Sequence, residues 1–465
     1  MTSFTHLHVA SAYSGHYGVT RPELLAEAAR AQGSSALAVT DRDGLYGAVK
    51  HIGACLQLGI SPIVGVELLV VDEQTSMSSR VSRTERARVV VIAHGSASSS
   101  KADTKPGYGW SKLCAIVSAA QAIRGGFKSA ASKRENPVAI RASELAALLE
   151  EGGCTVLLGS DSDLGRAVTN GDRTLAESAL LAWQKLLPKP GSLAVELVSH
   201  LTEPGTDRST LHARRMLQLA DELKVPTVLT NAVRYLSPDD ALTADVLDSA
   251  RFLEPLGMFQ PQPNAQAWLK PPAEMQRLAL EITDDQSRAM KLLETTEKLA
   301  DRCRLDPVKD CDWGKPKTPE KASLGIEGNP FEVLWQKAQE GIEWRYGRLE
   351  GEPLARVQHR LSQELITINK LGFATYFLTV ADVAQMIRDM RIRIAARGSG
   401  AGSLVNYLLG ISGVDPIEHD LLFERFLSTE RTSLPDIDID VESARRHDIY
   451  RAIFKRYGSN RVTLL

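Results

Sequence analysis

Pro22-Glu23-Leu24-Leu25-Ala26-Glu27-Ala28-Ala29, then Ala36-Leu37-Ala38-Val39, then Ile63-Val64-Gly65-Val66 decide the architecture of the first half of this chain. The first stretch reads as a helix, with Pro near its start and an acid in its first turn. The other two are short and apolar, bounded by polar residues, Gly or Pro, and read as buried strands. The same kind of run recurs at Val89-Val90-Val91-Ile92, Thr155-Val156-Leu157-Leu158, Leu193-Ala194-Val195-Glu196-Leu197 and Pro226-Thr227-Val228-Leu229. Strands alternating with helices at this spacing predict an α/β architecture, with ligands at the C-terminal ends of the strands.

Outward from this core, residues 96–109 read as a polar surface excursion, and 255–350 as a Pro-rich, then charged, connector with helices. Residues 353–391 turn helical again, and Leu404 to Leu409 begins a helix behind a glycine-rich turn. At 465 residues the chain has room for about three domains, or two larger ones. Its formal charge of −2 excludes a polycation that binds nucleic acid by bulk charge alone. Hydrophobic content of 43% excludes a mainly disordered chain. No apolar run approaches the ~20 residues of a membrane helix, and the first residues show no signal peptide. Five cysteines without a CxxC pair argue against a disulfide framework and a zinc ribbon. These readings predict a cytoplasmic globular protein with no membrane partner.

Leu434-Pro435-Asp436-Ile437-Asp438-Ile439-Asp440-Val441 carries the most chemistry. In a strand, side chains alternate faces, so Asp436, Asp438 and Asp440 share one face and the aliphatic residues the other. Neighbouring carboxylates then stand about 7 Å apart, close enough to grip a metal pair separated by ~3.5–4 Å. The plainer alternative is an edge strand whose aspartates discourage aggregation. Some forty residues upstream, Ala396-Arg397-Gly398-Ser399-Gly400-Ala401-Gly402-Ser403 precedes an apolar helix. Glycines admit an anion close to the backbone, the helix start offers N–H donors, and Arg397 and Ser399 suit phosphate oxygens. Tight packing is the alternative there. The turn is no P-loop, since the GK[ST] ending is missing. Together, an anion cradle and a carboxylate pair describe a site that handles a nucleoside triphosphate with two metals.

These residues, with Gly413-Val414-Asp415-Pro416, Leu421-Leu422-Phe423-Glu424-Arg425-Phe426-Leu427 and the upstream Lys370-Leu371-Gly372-Phe373-Ala374-Thr375-Tyr376-Phe377-Leu378, resemble the palm of bacterial C-family DNA polymerases, the α-subunits of DNA polymerase III. Thr5-His6-Leu7-His8, Ala38-Val39-Thr40-Asp41 and Pro62-Ile63-Val64-Gly65-Val66-Glu67 resemble that family's polymerase-and-histidinol-phosphatase (PHP) domain. The resemblance implies a PHP-type α/β barrel-like domain over 1–260, a connector with helices over 261–350, and part of a Pol β-like nucleotidyltransferase palm (α+β) over 351–465. It implies that Asp438 and Asp440 hold Mg2+ or Mn2+ and are catalytic, with Asp436 structural. It places Arg397, Gly398 and Ser399 at the incoming triphosphate. The implied reaction is attack of a primer 3′-hydroxyl on the α-phosphorus. The implied partners are primer–template DNA, deoxynucleoside triphosphates, and a sliding clamp reached through regions beyond Leu465. Thumb, fingers and the third catalytic carboxylate also lie beyond it, so the chain alone is expected to hold an incomplete metal site.

The resemblance also implies an eroded PHP metal site. His6, His8, Asp41, Glu67 and His200 remain, but Ala10, Arg42, Ala232 and Arg234 stand where family members with an intact site carry ligands, as do Arg88 and Ser160. A trinuclear site needs most of its donors. The expectation is therefore a structural PHP domain without zinc, in which Arg42 and Arg234 replace the metals by pairing with Asp41 and Glu67. A PHP phosphoesterase or 3′–5′ exonuclease, and a non-catalytic DNA- or partner-binding remnant, are the alternative functions. His16, His51 and His94 lack spacing partners, and Cys303 and Cys311 read as ordinary thiols. Arg431, Arg445, Arg446, Arg451, Lys455, Arg456 and Arg461 flank the carboxylate strand and are expected to contact the DNA backbone.

Overall fold

The computed structural model describes residues 3–71, 87–98, 105–122, 138–430, 435–458 and 461–462. Residues 99–104 of the polar excursion, Arg431, Leu434 and Leu465 lie outside the described residues. The chain folds as two compact units, Met1–Gly314 and Lys315–Leu465. Among the described residues no helix is long and apolar enough to cross a membrane.

In the first unit, β1 (Ala36–Arg42), β2 (Ser61–Val71), β3 (Ala87–Ala93), β4 (Ala139–Arg141), β5 (Cys154–Leu158), β6 (Leu193–Leu197) and β7 (Thr227–Leu229) form one sheet. Its order is β1-β2-β3-β5-β6-β7, with the short β4 beside the end of β2. β3 runs antiparallel to both neighbours, and the remaining pairs are parallel. Every residue of β5 and β6 is buried, as continuous apolar runs covered on both faces require.

The backbone of residues 6–10 joins the two free edges of this sheet. Ala38 and Thr40 of β1 donate to the carbonyls of His6 and Val9 at 3.0 and 2.8 Å. Past β7, Val233 donates to the His8 carbonyl at 2.9 Å, and Ala10 donates to that of Val233 at 2.8 Å. The curled sheet thereby closes into a barrel-like ring, and His6 and His8 hang at its mouth with the ends of the strands.

Residues 261–350 divide between the two units. Helices Pro272–Thr283 and Gln286–Arg302 side with the sheet: Met275, Leu278 and Leu292 lie in its main core, and Thr296 Oγ1 accepts from the Leu229 amide of β7 at 2.9 Å. Helix Pro330–Tyr346 instead packs in the second unit, where Leu334, Leu361, Phe377, Leu404 and Phe426 share one core. There Gly341 lies so close to the next layer that an added Cβ would stand 2.4 Å from the Leu408 carbonyl oxygen. Helices Gly351–Lys370 and Ala374–Asp389 are separated by Gly372 at φ +76°, a left-handed turn that suits glycine. A two-stranded antiparallel ribbon, β8 (Ile394–Arg397) and β9 (Asp438–Val441), completes the unit with helix Arg446–Tyr457. Ile394 and Val441 turn inward against Ile387, Ile392 and Ile449.

Candidate active site

At the mouth of the first unit, Glu67 of β2 sits opposite Arg42 of β1 in the parallel ladder. Its side chain is 2% exposed, and two guanidiniums grip it: Arg42 Nε donates to Oε2 at 2.6 Å and Arg88 Nε to Oε1 at 2.8 Å. Burial alone would raise the Glu67 pKa, but Arg42, Arg88 and His8 hold it well below the usual range. His8 Nδ1 lies 2.7 Å from Glu196 Oε1, and its Nε2 3.9 Å from Glu67 Oε2. Burial opposes the charged ring, but Glu196 and Glu67 outweigh it and push the His8 pKa up to about 10. His8 is therefore an imidazolium at neutral pH, and both ring nitrogens carry protons. Arg208 Nη2 pairs with Asp161 at 2.7 Å, and Arg88 also reaches Asp43 at 2.6 Å.

The other expected donors are engaged elsewhere. His6 Nε2 bonds the Lys270 carbonyl, and His200 Nε2 the Asn231 carbonyl, both at 2.9 Å. Burial lowers His6 to about 4 and His200 well below its usual value, so both rings are neutral. Asp41 accepts from the Ser11 amide, the Ser11 and Ser14 hydroxyls and the Gly47 amide, at 2.8–3.0 Å. The arginine expectation therefore holds for Arg42 with Glu67, while Asp41 is satisfied by serines and backbone. Arg234, expected at Asp41 or Glu67, pairs instead with Asp248 at 2.9 Å and stacks over the Tyr17 ring, which Arg42 and Arg251 also face. Among the described residues no group of three or more His, Cys, Asp or Glu could hold a metal ion.

In the second unit, the β8–β9 ribbon places Arg397 opposite Asp438 and Ala395 opposite Asp440. Directly opposed residues share a face, so Asp438, Asp440 and Arg397 project together from the side away from the apolar core. Asp438 is half-buried and Asp440 exposed, and Arg397 Nε lies 3.1 Å from Asp440 Oδ1. The expected row of three carboxylates is shorter, because β9 begins at Asp438 and the exposed Asp436 precedes it. The Ile437 amide there donates to the Tyr376 hydroxyl at 3.2 Å, outside the ladder. Gly398 has φ +72°, and a Cβ there would stand 3.4 Å from Asp438 Oδ2. Ser399 is exposed beside it.

The glycine turn differs from expectation in one respect. The donors of the helix start, Leu404–Leu408, already have an anion. Glu364 of helix Gly351–Lys370, 1% exposed, accepts from the Leu404 and Val405 amides at 3.0 and 3.1 Å and from the Ser403 hydroxyl at 2.9 Å. Arg360 pairs with it at 2.7 Å and also donates to the Gly402 and Leu421 carbonyls. These donors cannot serve a phosphate as well. The surface left for an anion is Arg397, Gly398 and Ser399. The flanking basic series is largely paired too: Arg445 and Arg451 with Asp448, Arg456 with Asp382, and Arg461 with Glu320.

Residues 332–465 match the bacterial DNA polymerase III alpha NTPase domain, and residues 6–200 match the PHP domain. The chain therefore combines a PHP domain with a DNA polymerase III alpha NTPase domain. The DNA polymerase III subunit alpha of Halalkalibacterium halodurans is 30% identical over 98% of this chain. The error-prone DNA polymerase of Symbiobacterium thermophilum and the DNA polymerase III subunit alpha of Escherichia coli K12 are each 30% identical over 99%. The chain spans 36%, 39% and 36% of the length of those relatives. Four of its site residues escape a reading of the sequence: Glu196, Asp161, Arg208 and Glu364. Glu196 had a legible signal, an acid inside the buried run Leu193–Leu197, which must find a partner. Glu364 had none, since an acid in an amphipathic helix is ordinarily solvated.

Proposed function

We propose that this chain is the PHP domain (1–260) and the first part of the palm (351–465) of a DNA-directed DNA polymerase alpha-type subunit. Such a subunit adds deoxynucleotides to a primer 3′-hydroxyl on template DNA. The observation that supports this most is the pairing of Asp438 and Asp440 on one open face of a ribbon, beside an exposed Arg–Gly–Ser turn. One or two carboxylates completed by substrate phosphates are the usual protein share of a Mg2+ site, and this donor set fits it. Mg2+ or Mn2+, when bound, lowers the pKa of the attacking hydroxyl and neutralises the leaving pyrophosphate. Asp438 and Asp440 supply the oxygens that hold the cations and orient the 3′-end. Arg397 and Ser399 offer a guanidinium and a hydroxyl to the triphosphate, and Gly398 keeps the approach to Asp438 open. The PHP unit serves as a metal-free structural domain, because its acids and His8 are already paired with one another and with arginines.

Mn2+ titration of this chain, followed by electron paramagnetic resonance, tests the palm assignment. Asp438→Asn and Asp440→Asn are each expected to weaken Mn2+ binding about tenfold or more. Asp436→Asn, outside the ladder, is expected to change it less than about twofold. Equal loss in all three variants, or none in any, would reject the carboxylate pair as the metal site.

A further inference from the structure

We infer that Arg391 and Arg393 form a track for the DNA backbone that extends the carboxylate face of the ribbon, an inference that rests on the polymerase reading. Leading into β8, exposure alternates: Arg391, Arg393, Ala395 and Arg397 face solvent, while Ile392 is buried and Ile394 and Ala396 are partly covered. The face that carries Arg397, Asp438 and Asp440 therefore continues back through Arg393. Two residues of extended chain cover about 7 Å, so Arg393 and Arg391 lie about 7 and up to about 14 Å beyond Ala395, which opposes Asp440. At one phosphate per ~3.4 Å of rise along a strand, that is the reach of the next two to four nucleotides.

Two observations separate these arginines from ordinary surface charge. The basic residues of the following segment are largely spent on Asp448, Asp382 and Glu320, whereas among the described residues Arg391 and Arg393 show no acid partner. Arg391 also occupies an unfavourable backbone position. It follows helix Ala374–Asp389 and its cap Met390 at φ +57°, with its amide on the Arg388 carbonyl and that of Ile392 on the Ile387 carbonyl. This is the left-handed closing position that glycine fills most readily. An arginine kept there, exposed and unpaired, is disfavoured by the backbone and offers its charge to something outside the fold.

Fluorescence anisotropy with a labelled primer–template duplex, run across a series of salt concentrations, tests the track. The Arg391→Gly/Arg393→Gln double variant is expected to flatten the log–log salt slope by about 2 and to weaken binding about tenfold at low salt. Arg391→Gly alone should weaken DNA binding while holding Tm or raising it by about 2 °C, an opposition that a structural role would not produce. Arg461→Gln, which removes an arginine paired with Glu320, should leave the slope unchanged. An unchanged slope in the double variant, an equal loss in Arg461→Gln, or a wild-type chain that does not bind the duplex would each overturn the track. Mn2+ binding measured on the same variants separates the two ideas. Mn2+ held at Asp438 and Asp440 with an unaltered salt slope rejects the track alone, whereas no Mn2+ binding in wild type rejects the palm reading beneath it.

Discussion

Glu67→Ala is expected to lower the stability of the first unit by about 3–5 kcal/mol, the usual consequence of removing one partner from a buried ionic cluster. Arg42, Arg88 and His8 all direct charge at this carboxylate, and none is more than 17% exposed in its side chain. Without it, three cations face one another in a poorly hydrated site. Chemical denaturation of the variant measures the loss, and thermal melts with and without a chelator distinguish the cause. An ion-pair cluster predicts a Tm indifferent to the chelator; a metal site predicts one that falls. A loss below about 1 kcal/mol, or a chelator-sensitive Tm in wild type, would contradict the paired arrangement. The pH dependence follows from the same groups. Glu67 is depressed in the folded state, so its contribution is present above about 4.5 and disappears as pH falls through the lower folded value. His8 is raised from 6.5 to about 10, so its contribution is full below 6.5 and is lost as pH climbs towards 10. The buried neutral rings of His6 and His200 are held below 6.5 in the folded state, so their contribution is lost as pH falls below 6.5, and the stability of this unit should peak near 6.5 and decline on both sides.

In the second unit, Glu364→Ala is expected to have a comparable effect, again about 3–5 kcal/mol. The carboxylate meets Arg360, the Ser403 hydroxyl and the Leu404 and Val405 amides, all in a site where it is 1% exposed. Burial raises its pKa, against the pull of Arg360 and the two amides, which marks the cost of keeping a charge there. Alanine would remove the acceptor and leave four donors without one. Glu364→Gln keeps the shape but turns an NH2 group towards those donors, and is expected to cost about 1–3 kcal/mol. Hydrogen exchange at the amides of residues 398–408 is the direct measurement. Faster exchange there in both variants, with the amides of helix Ala374–Asp389 less affected, supports the account. Uniform protection across the unit would refute it.

The fold was legible wherever a local pattern had only one tertiary solution. The apolar runs at 36–39, 63–66, 89–92, 155–158, 193–197 and 226–229 all became strands, since such runs need cover on both faces. β4, three residues long, was too short to carry a pattern. The shared face of Asp438 and Asp440 could be read because the strand period is two, yet nothing local showed that β9 would begin after Asp436. In the PHP unit, the two arginines that meet Glu67, Arg42 and Arg88, were visible as residues. The acid that Arg42 would meet lies on the adjacent strand, where Arg42 and Glu67 fall in one register. The partner of Arg234 was not: Asp248 comes from helix Ala241–Phe252, and only tertiary packing brings it within reach. Glu364 escaped for the same reason, at a separation of 39 residues from Ser403.

The closure of the ring by residues 6–10 has a consequence for how the protein is made. Their hydrogen-bonding partner Val233 leaves the ribosome more than two hundred residues later. At ~5–20 residues per second, the segment waits roughly 10–50 s with one of its edges unpaired. It is short, and it carries His6 and His8 among its apolar residues, which limits its appeal to other strands. Until Val233 arrives, the nascent sheet is an open ribbon with two live edges, and that interval is when a chaperone has most to protect.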